Sequence, residues 1–334
     1  MNILVDSMGG DNAPREIVKG CINAIEKFDI KITLVGKEDV IKKELSNYTY
    51  AEGKIDILNA EDVITNFDDP AIAIRRKKDS SMVVGLKALK EGHGDGFLSA
   101  GNTGALLAGG LFIVKRIKGV KRAALTSIYP TSKGISLIVD AGANVDSKPE
   151  YLEQFGVMGS IYMENILQVD DPKVGLVSIG AEKGKGNQLV KDSYELLEKA
   201  PINFIGNVEA RDVPLGAVDV IVADGFVGNV ILKLTEGVAS SLLGEIKSIL
   251  TSSFSTKIAA LLIKDGLKNL KDKTDYRQYG GAPLLGTQKP IVKAHGSSDA
   301  LAIENAIREL INFIEKDVIN IIEDRIETIK ELEE

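Results

Sequence analysis

Short strand-like runs alternate with helix-like segments along most of the 334-residue chain, and this alternation constrains the fold more than any other feature. The runs are rich in β-branched residues and apolar throughout, as in NILVD at 2–6 and VDVIVADG at 218–225. Continuous apolar strands separated by helices indicate a parallel sheet that is covered on both faces. The sequence therefore predicts an α/β protein with a doubly wound, mainly parallel sheet.

The last third of the chain departs from this alternation. Residues 236–271 are predicted to form a helical hairpin that breaks near Thr251, within a single domain over 1–334. The segment YGGAPLLG at 279–286 is predicted to be an irregular loop, and 298–334 a single long helix. No repeat or Pro/Ser-rich linker marks a domain boundary.

Glycine-rich polar loops follow five of the predicted strands. In open α/β sheets, ligands bind in the crevice at the carboxyl ends of the strands, so the functional residues are expected there. These loops are VDSMGGDNAP (5–14), SAGNTGA (99–105), VDAGANVDSKPE (139–150), SIGAEKGKGN (178–187) and ADGFVGN (223–229).

The stretch SAGNTGALLAGG at 99–110 joins the end of a strand to the start of a helix without any charged residue. Such a junction leaves backbone N–H groups unpaired at the positive end of the helix dipole, which favours an anion. The stretch contains neither GxGxxG nor Gly-Lys-Ser/Thr, so it is neither a dinucleotide fingerprint nor a P-loop. The sequence predicts an anion site whose ligand must be identified from other residues.

Composition narrows the function classes. A net charge of −7 argues against a general basic surface for nucleic acid, and one cysteine excludes an internal disulfide framework. No apolar run approaches the roughly 20 residues that span a bilayer, and no basic segment precedes the first strand. We therefore expect a cytoplasmic chain that is neither exported nor transmembrane.

Residue types that often carry chemistry are sparse. Cys21 lies on the apolar stripe of the first helix and no GxSxG elbow occurs, so covalent catalysis is not predicted. His93 fits a loop, whereas His295, which follows the last strand, fits a site or a structural role equally. The strand-end carboxylates Asp6, Asp11, Asp140 and Asp224 fit loop acceptors or a base better than magnesium ligands. Neither a metal site nor a cofactor is predicted.

Two basic segments, RRKKDSS at 75–81 and EKGKGN at 182–187, precede predicted helix starts, an arrangement that collects phosphate oxygens. Together with the other loops, the chain resembles the phosphate acyltransferase (PlsX) family of bacterial phospholipid synthesis, in order from residue 5 to about residue 300. The motifs that carry the resemblance are VDSMGGDNAP, AIRRKKDSSM, LSAGNTGALLA, DAGANVDSKPEYLEQFG, SIGAEKGKGN, ADGFVGNVILKLTEG, YGGAPLLG and AHGSSDA.

The resemblance implies a Rossmann-like three-layer α/β/α fold similar to isocitrate and isopropylmalate dehydrogenases and to phosphotransacetylase, without nicotinamide chemistry. It implies a homodimer associated peripherally with the inner face of the cell membrane. The implied reaction converts a long-chain acyl thioester on acyl carrier protein and inorganic phosphate into acyl phosphate and free carrier protein.

Because phosphate is already an anionic nucleophile, positioning it beside the thioester is the main catalytic requirement. The resemblance places phosphate in the 99–105 loop and the remaining chemistry on the other strand-end loops. Phosphate would be held by Ser99, Gly101, Asn102, Thr103 and Gly104. Lys183 or Lys185 would neutralise it, Asn144 or Asn229 would stabilise the oxyanion, and Asp224 or His295 would manage the proton of the leaving thiol.

Two surfaces follow from the implied partners. The carrier proteins of this family are acidic, so docking is expected on the cluster Lys264, Lys268, Lys271, Lys273 and Arg277. An apolar tip around the hairpin break, flanked by lysines, is expected either to enter an anionic membrane interface or to pack within the hairpin or a dimer. The tip comprises Phe254, Ile258, Leu261 and Leu262.

Two other functions stay open on the sequence alone. A phosphotransacetylase would use coenzyme A and a short acyl chain on a similar site. A regulatory protein would use the same glycine-rich strand ends to bind phosphate or a nucleotide without turnover. Phosphate-dependent loss of an acyl thioester separates the three.

Overall fold

The computed structural model describes residues 1–266 and 280–333, and in these segments eleven strands form one continuous sheet. The strand order is β3-β2-β1-β4-β11-β10-β5-β6-β9-β7-β8. The strands are β1 (Asn2–Asp6), β2 (Lys31–Gly36), β3 (Ile55–Asn59), β4 (Gly96–Ser99), β5 (Ala124–Thr131), β6 (Gly134–Val139), β7 (Val174–Ser178), β8 (Phe204–Glu209), β9 (Val220–Val222), β10 (Ala282–Leu285) and β11 (Ile291–Lys293).

The sheet is mostly parallel, as predicted, but its two parallel groups of strands run in opposite directions. Strands β1, β2, β3, β4 and β11 are mutually parallel, and β6, β7, β8 and β9 form a second parallel group. Between the groups, β10 is antiparallel to both β11 and β5, and β5 is antiparallel to β6. The two groups therefore point in opposite directions, and their carboxyl ends lie at opposite edges of the sheet.

Alternate residues of the central strands pack on opposite faces, which explains why these strands are apolar throughout. In β1, Ile3 and Val5 pack in a core cluster with helix residues 17–25 and 303–311, whereas Leu4 packs in another with residues 82–89. Helices therefore cover both faces of this part of the sheet, as continuous apolar strands require.

Several helices begin at side-chain caps: Asn102, Asp224 and Asp299 each accept a backbone N–H from the first turn of the following helix. The helices are α1 (Arg15–Lys27), α2 (Glu38–Leu45), α3 (Pro70–Arg76), α4 (Ser81–Lys90), α5 (Thr103–Gly109), α6 (Pro149–Asn165), α7 (Gln188–Leu197), α8 (Gly225–Thr251), α9 (Phe254–Leu262), α10 (Ala300–Glu315) and α11 (Val318–Glu333). A π-helical turn at Gly110–Val114 extends α5, and a 3-10 turn lies at Val213–Leu215.

Three predicted elements were wrong in detail. The segment expected to be a loop at 279–286 contains β10, because it pairs with strands on both sides. The predicted single terminal helix breaks between α10 and α11, where Asp317 adopts a left-handed φ of 52°. The helix expected from residue 236 already begins at Gly225, because Asp224 caps it.

The predicted break near Thr251 is present. Helix α8 ends there, and Ser253 with Thr256 forms a capping box that starts α9. A hairpin over the whole of 236–271 stays a prediction, because residues 267–271 lie outside the described segments. The expected membrane-facing side chains are exposed: Phe254 81%, Ile258 46%, Leu261 71% and Leu262 83%.

Helix α8 is longer and more apolar than the sequence pattern suggested. Its 27 residues include an 18-residue window with a mean hydropathy of 1.3, which is enough by length and composition to cross a membrane, and 6% of that window is buried. The expectation that no segment approaches this length was therefore wrong. Four charged residues interrupt the apolar sequence of the helix: Lys233, Glu236, Glu245 and Lys247. The Gly225 N–H donates to the carbonyl of Asn144 at 2.7 Å, which fixes the first turn against the loop after β6.

Cys21 is fully buried against the cluster around β1, and burial raises the pKa of its thiol. A thiol in this setting is neutral and inaccessible. The predicted structural role of Cys21 is therefore confirmed.

A buried acidic group should make stability depend on pH. Glu309 of α10 accepts a hydrogen bond from the hydroxyl of Tyr162 on α6, and burial raises the pKa of the Glu309 carboxyl from 4.5 to about 7. Because the pKa is raised in the folded state, the contribution of this carboxyl to stability is fully present below pH 4.5 and is lost as pH rises through about 7. We expect Glu309→Gln to be about as stable as the parent at pH 5 and more stable at pH 8, by about 3 kcal/mol at most. Urea unfolding at both pH values measures this difference, and an equal difference at the two values would contradict it.

Candidate active site

A cavity of about 670 Å³ runs along strand β5 between the two groups of strands. One side is formed by β5 itself and the other by helix α8. The α8 positions that line the cavity, Asn229, Leu232, Lys233, Glu236 and Ala239, recur at three- and four-residue spacing and so share one helix face.

The two ends of the cavity belong to opposite edges of the sheet. Ala100, Gly101 and Thr103, which follow β4, line it together with residues 293–296 at the end of β11. Ala141 and Gly142, which follow β6, line it with Asn229. The first end is called the β11 end below, and the second the β6 end.

The loop predicted to hold phosphate uses much of its polar chemistry within the protein. The Ser99 hydroxyl donates to Asp6 Oδ2 at 2.6 Å and accepts the Gly101 N–H at 3.0 Å. Asn102 caps α5 through Ala105 N–H and donates from Nδ2 to the Thr65 carbonyl at 3.1 Å. These side chains fix the loop, while Gly101 and Thr103 line the cavity.

Gly104, the fifth predicted phosphate residue, lies against Pro70. A Cβ added at Gly104 would come within 2.7 Å of Pro70 Cγ, so the glycine is needed for packing. Asp6 is also buried in this region, and burial raises the pKa of its carboxyl against the lowering effect of its hydrogen bonds with Ser81 and Ser99. The loop is thus a rigid structure with a short polar surface toward the cavity.

Lys293 is the residue that the sequence analysis missed. It closes β11 with 8% of its side chain exposed, lines the cavity, and donates from Nζ to the carbonyls of Ala100 and Ala294. Within the described segments it forms no ion pair, and burial lowers the pKa of its ammonium to about 8. An ammonium buried in a cavity without a bound carboxylate is a functional-site signature. The sequence feature that could have identified Lys293 is its position as a lysine at the end of the otherwise apolar strand β11.

His295 lies at the same β11 end. Its Nδ1 lies 2.8 Å from the Ser297 hydroxyl and 3.2 Å from the Ser297 backbone nitrogen, which holds the ring in place. Burial lowers the pKa of His295, and the positive charges of Lys233 and Lys293 add to this effect. Lys233 is paired with Glu236 at 2.8 Å and Asp11 also lines the cavity, so the buried Lys293 is the cation that distinguishes this end, with a neutral imidazole beside it.

The predicted oxyanion and proton-transfer residues separate into two groups. Asn229 and His295 both line the cavity. Asn144 instead donates to the carbonyl of Ala123 at 2.8 Å and to Asp140 Oδ2 at 2.9 Å, which ties two strand ends together. Asp224 accepts Val227 N–H at 2.8 Å as the cap of α8. The cavity lining does not include Asn144 or Asp224.

Lys183 and Lys185 are also outside the cavity lining. Lys183 forms an exposed ion pair with Glu198 at 2.6 Å, which raises the pKa of its ammonium, and lies 5.1 Å from the Tyr194 ring centre. Lys185 is exposed on the same loop. This loop follows β7, two strands beyond β6, so sheet order separates it from the loop after β4.

Of the predicted docking residues, only Lys264 lies in the described segments, where it is exposed. Lys268, Lys271, Lys273 and Arg277 lie outside them. Among described residues, no group of three His, Cys, Asp or Glu side chains is arranged to hold a metal ion.

The architecture is shared with solved structures of two kinds of enzyme. A phosphotransacetylase from Streptococcus pyogenes aligns with a TM-score of 0.63 at 16% identity, covering 95% of this chain and 94% of that one. A 4-hydroxythreonine-4-phosphate dehydrogenase from Klebsiella pneumoniae aligns with a TM-score of 0.53 at 11% identity, covering 93% and 99%. At these identities the likeness concerns the fold, an α/β class that includes both acyltransferases and dehydrogenases.

Sequence comparison is more specific. The family model described as "Fatty acid synthesis protein" matches residues 1–321. The chain is 54% identical over 319 residues to a phosphate acyltransferase of Alkaliphilus oremlandii, covering 96% of this chain and 95% of the relative. The chain belongs to the phosphate acyltransferase family, as its motifs indicated.

Proposed function

We propose that this protein transfers a long-chain acyl group from acyl carrier protein to inorganic phosphate, giving acyl phosphate and free carrier protein. The observation that carries the proposal is family membership over residues 1–321, with 54% identity to a phosphate acyltransferase along nearly the whole chain. A cavity that combines the buried ammonium of Lys293 with apolar lining residues supports it, because the reaction needs an anion held beside an apolar acyl group.

Phosphate is assigned to the β11 end of the cavity. Lys293 supplies a desolvated positive charge there, and Thr103, the first residue of α5, lines the same end. The Lys293 hydrogen bonds to the carbonyls of Ala100 and Ala294 hold its ammonium in place before the substrate arrives. Preorganised charge in a site of this kind stabilises developing negative charge with little reorganisation.

The acyl thioester is assigned to the length of the cavity along β5. Leu125, Ile128, Tyr129 and Leu232 supply apolar surface there, and Asn229 is available to donate to the carbonyl oxygen. A phosphate oxygen attacks the thioester carbon, the carbonyl oxygen takes the negative charge, and collapse breaks the carbon–sulfur bond. The His295 ring is assigned a hydrogen bond to the departing sulfur, and the thiolate takes the proton that the attacking hydrogen phosphate loses. Asp224 is not needed in this step because it caps α8.

The sequence-based expectations about assembly and location are part of the same proposal. We infer a single catalytic domain over 1–334 with a Rossmann-like three-layer fold and a protruding hairpin at 236–271. The protein acts as a homodimer in the cytoplasm, associated peripherally with the inner face of the cell membrane. The exposed apolar side chains of α9 support the membrane part of this proposal.

The test is phosphate-dependent loss of the acyl group from acyl carrier protein, followed by mass spectrometry of the carrier. Turnover only with a short-chain coenzyme A thioester would indicate a phosphotransacetylase instead. Phosphate binding without any turnover would indicate a regulatory protein.

The same assay tests whether an acyl-enzyme forms. Because Cys21 is buried away from the cavity, Cys21→Ala is expected to keep kcat within about twofold of the parent. Trapping of an acyl group on Cys21, or loss of turnover in a variant with native thermal unfolding, would contradict direct attack by phosphate.

A further inference from the structure

An exposed basic surface lies beside the β6 end of the cavity. It is called the 115–122 surface and consists of five cations from the segment KRIKGVKR together with Lys148. The segment contains no acidic residue, although the chain as a whole carries a net charge of −7. The six exposed cations are Lys115, Arg116, Lys118, Lys121, Arg122 and Lys148.

Few of these charges are neutralised by the protein. Among the described residues, one cation of this surface forms an ion pair: Lys118 Nζ lies 3.9 Å from Glu327 Oε1, and both side chains are more than half exposed. Such a pair contributes little and is easily exchanged. Arg122 stacks over the Tyr151 ring at 5.6 Å, which orients the guanidinium but leaves its charge available.

The backbone under the surface is held in one conformation. Ile117 N–H donates to the Gly286 carbonyl at 3.0 Å, and Lys121 N–H donates to Gln154 Oε1 at 2.7 Å. Gln154 also donates to the Gly119 carbonyl at 3.1 Å. A surface that is already ordered loses less entropy when a partner binds.

A shallow cavity of about 390 Å³ gives this surface a concave centre. Arg116, Lys121 and Lys148 line it together with the first turn of α6, and Glu150 is the acidic member of that lining. Three cations around one carboxylate leave an excess of positive charge in the concavity, which fits an anionic side chain projecting from a partner.

The position of the surface relates it to the active site. The segment leads directly into β5, whose residues Leu125 and Thr126 line the main cavity. Asn144 Nδ2 donates to the Ala123 carbonyl at 2.8 Å, which joins the segment to the loop after β6. A partner on the 115–122 surface would thus sit at the sheet edge beside the β6 end, and its attached arm would have to extend along the cavity to bring the thioester to phosphate at the β11 end.

We propose that the 115–122 surface is where the acidic carrier protein docks, with its acyl group entering the main cavity at the β6 end. This inference rests on the proposed function for the identity of the partner. It differs from docking near Lys264, because the 115–122 surface adjoins the cavity entrance through a strand that lines it.

The test compares two pairs of charge reversals that give the same net charge. Lys118→Glu with Lys121→Glu alters the surface, whereas Lys19→Glu with Lys43→Glu alters exposed lysines of α1 and α2. The first pair is expected to lower kcat/KM for the acyl-carrier substrate about tenfold and to weaken its salt dependence, while the control pair changes it less than about twofold. KM for phosphate should be the same in all three proteins.

Direct binding of the acidic carrier protein, measured by fluorescence anisotropy, separates this inference from the proposed function. Carrier binding that the first pair weakens and the control pair leaves intact supports the surface. If the two pairs behave alike, or if only Lys264→Glu weakens binding, the surface is wrong even though turnover stands. A parent protein that binds the carrier but shows no phosphate-dependent turnover would overturn the proposed function and leave the docking result valid. Lys118→Gln with Lys121→Gln provides a milder second variant if thermal unfolding of the first pair is altered.

Discussion

Replacing Lys293 with methionine is expected to lower kcat/KM for phosphate by about a hundredfold or more while making the protein more stable. Methionine preserves the length of the side chain and removes the charge. The loss of activity is expected because phosphate would then enter a partly desolvated end of the cavity without the buried ammonium that faces it.

The gain in stability follows from the same burial. Burial lowers the pKa of Lys293 from 10.5 to about 8, so holding the charged form in the folded state is unfavourable. Between pH 8 and pH 10.5 the unfolded chain binds more protons at this group than the folded chain, and parent stability therefore rises with pH across that window. At pH 7 the full penalty, about 3 kcal/mol at most, is removed in Lys293→Met. In urea unfolding, the free energy of unfolding of Lys293→Met should exceed that of the parent by less at pH 10 than at pH 7.

A kinetic pH profile distinguishes a role in the reaction from a structural one. In the parent, kcat/KM for phosphate should fall as pH rises through about 8, and this limb should be absent from the residual activity of Lys293→Met. The exposed lysine Lys289, two residues before β11 begins, offers a control, since Lys289→Met should change neither the pH profile nor the stability appreciably. Unchanged phosphate kinetics in Lys293→Met would place the anion elsewhere.

The alternation of apolar runs and helices was sufficient to predict the class of fold but not the direction of its strands. Each strand of either group is apolar because it is covered on both faces, and that pattern is the same whichever way the strand runs. The second group runs in the opposite direction because β5 and β6 pair antiparallel, whereas β10 is antiparallel to both β11 and β5 and so leaves those two strands parallel in direction. Strand β10 has the composition of a loop, because its four residues contain Pro283 and follow two glycines. Only its neighbours in the sheet make it a strand.

The order of the strands in the sheet also explains which predicted site residues line the cavity. The five polar loops follow strands, as expected, but the loop with Lys183 and Lys185 follows β7, two strands beyond β6, and does not join Gly101 and Thr103 in the cavity lining. Asn229 reaches the cavity because α8 begins at one edge and runs toward the other. Sequence spacing predicts that a loop ends a strand, whereas pairing between distant strands decides which edge that is.

The side chains of the predicted phosphate loop indicated a polar loop beside a helix start, but not whether they bind a ligand or the backbone. Serine and asparagine next to a helix start serve equally as ligands for an anion and as caps for the backbone. Here Ser99 and Asn102 bond within the protein, so the loop contributes shape and backbone more than side chains. The charge comes from Lys293, whose role is visible only when the strand that carries it is buried.

The second large effect is expected at the membrane. Replacing Leu261 and Leu262 with glutamate should abolish cosedimentation with vesicles of anionic lipid while leaving phosphate-dependent turnover in solution largely intact. Both side chains are exposed on α9, by 71% and 83%, and Lys257 and Lys264 flank them. An apolar helix face with adjacent lysines enters the interface of an anionic bilayer through apolar burial and charge attraction together.

Two negative charges would themselves weaken attraction to anionic vesicles, so the comparison needs a variant with the same charge. Ile205→Glu with Leu215→Glu is suitable, because both side chains are exposed, by 49% and 57%, and lie away from α9 in sequence and on other elements. This variant should still bind vesicles. Equal loss in the two variants would make the effect one of net charge, and retained binding in both would exclude α9 as the anchor.

The alternative for α9 is that its apolar face packs in a dimer, and the same variant decides between the two. If the face is buried between protomers, Leu261→Glu with Leu262→Glu should convert a dimer into monomers on sedimentation, because two carboxylates cannot be buried unpaired. If the face meets lipid, the sedimentation state should match the parent while vesicle binding is lost. The lipid outcome is favoured because acyl phosphate carries a long apolar chain, and a site held at the bilayer allows that chain to leave without crossing water. The acyl phosphate product should then be recovered with the vesicles when the parent is assayed and in solution when the variant is assayed.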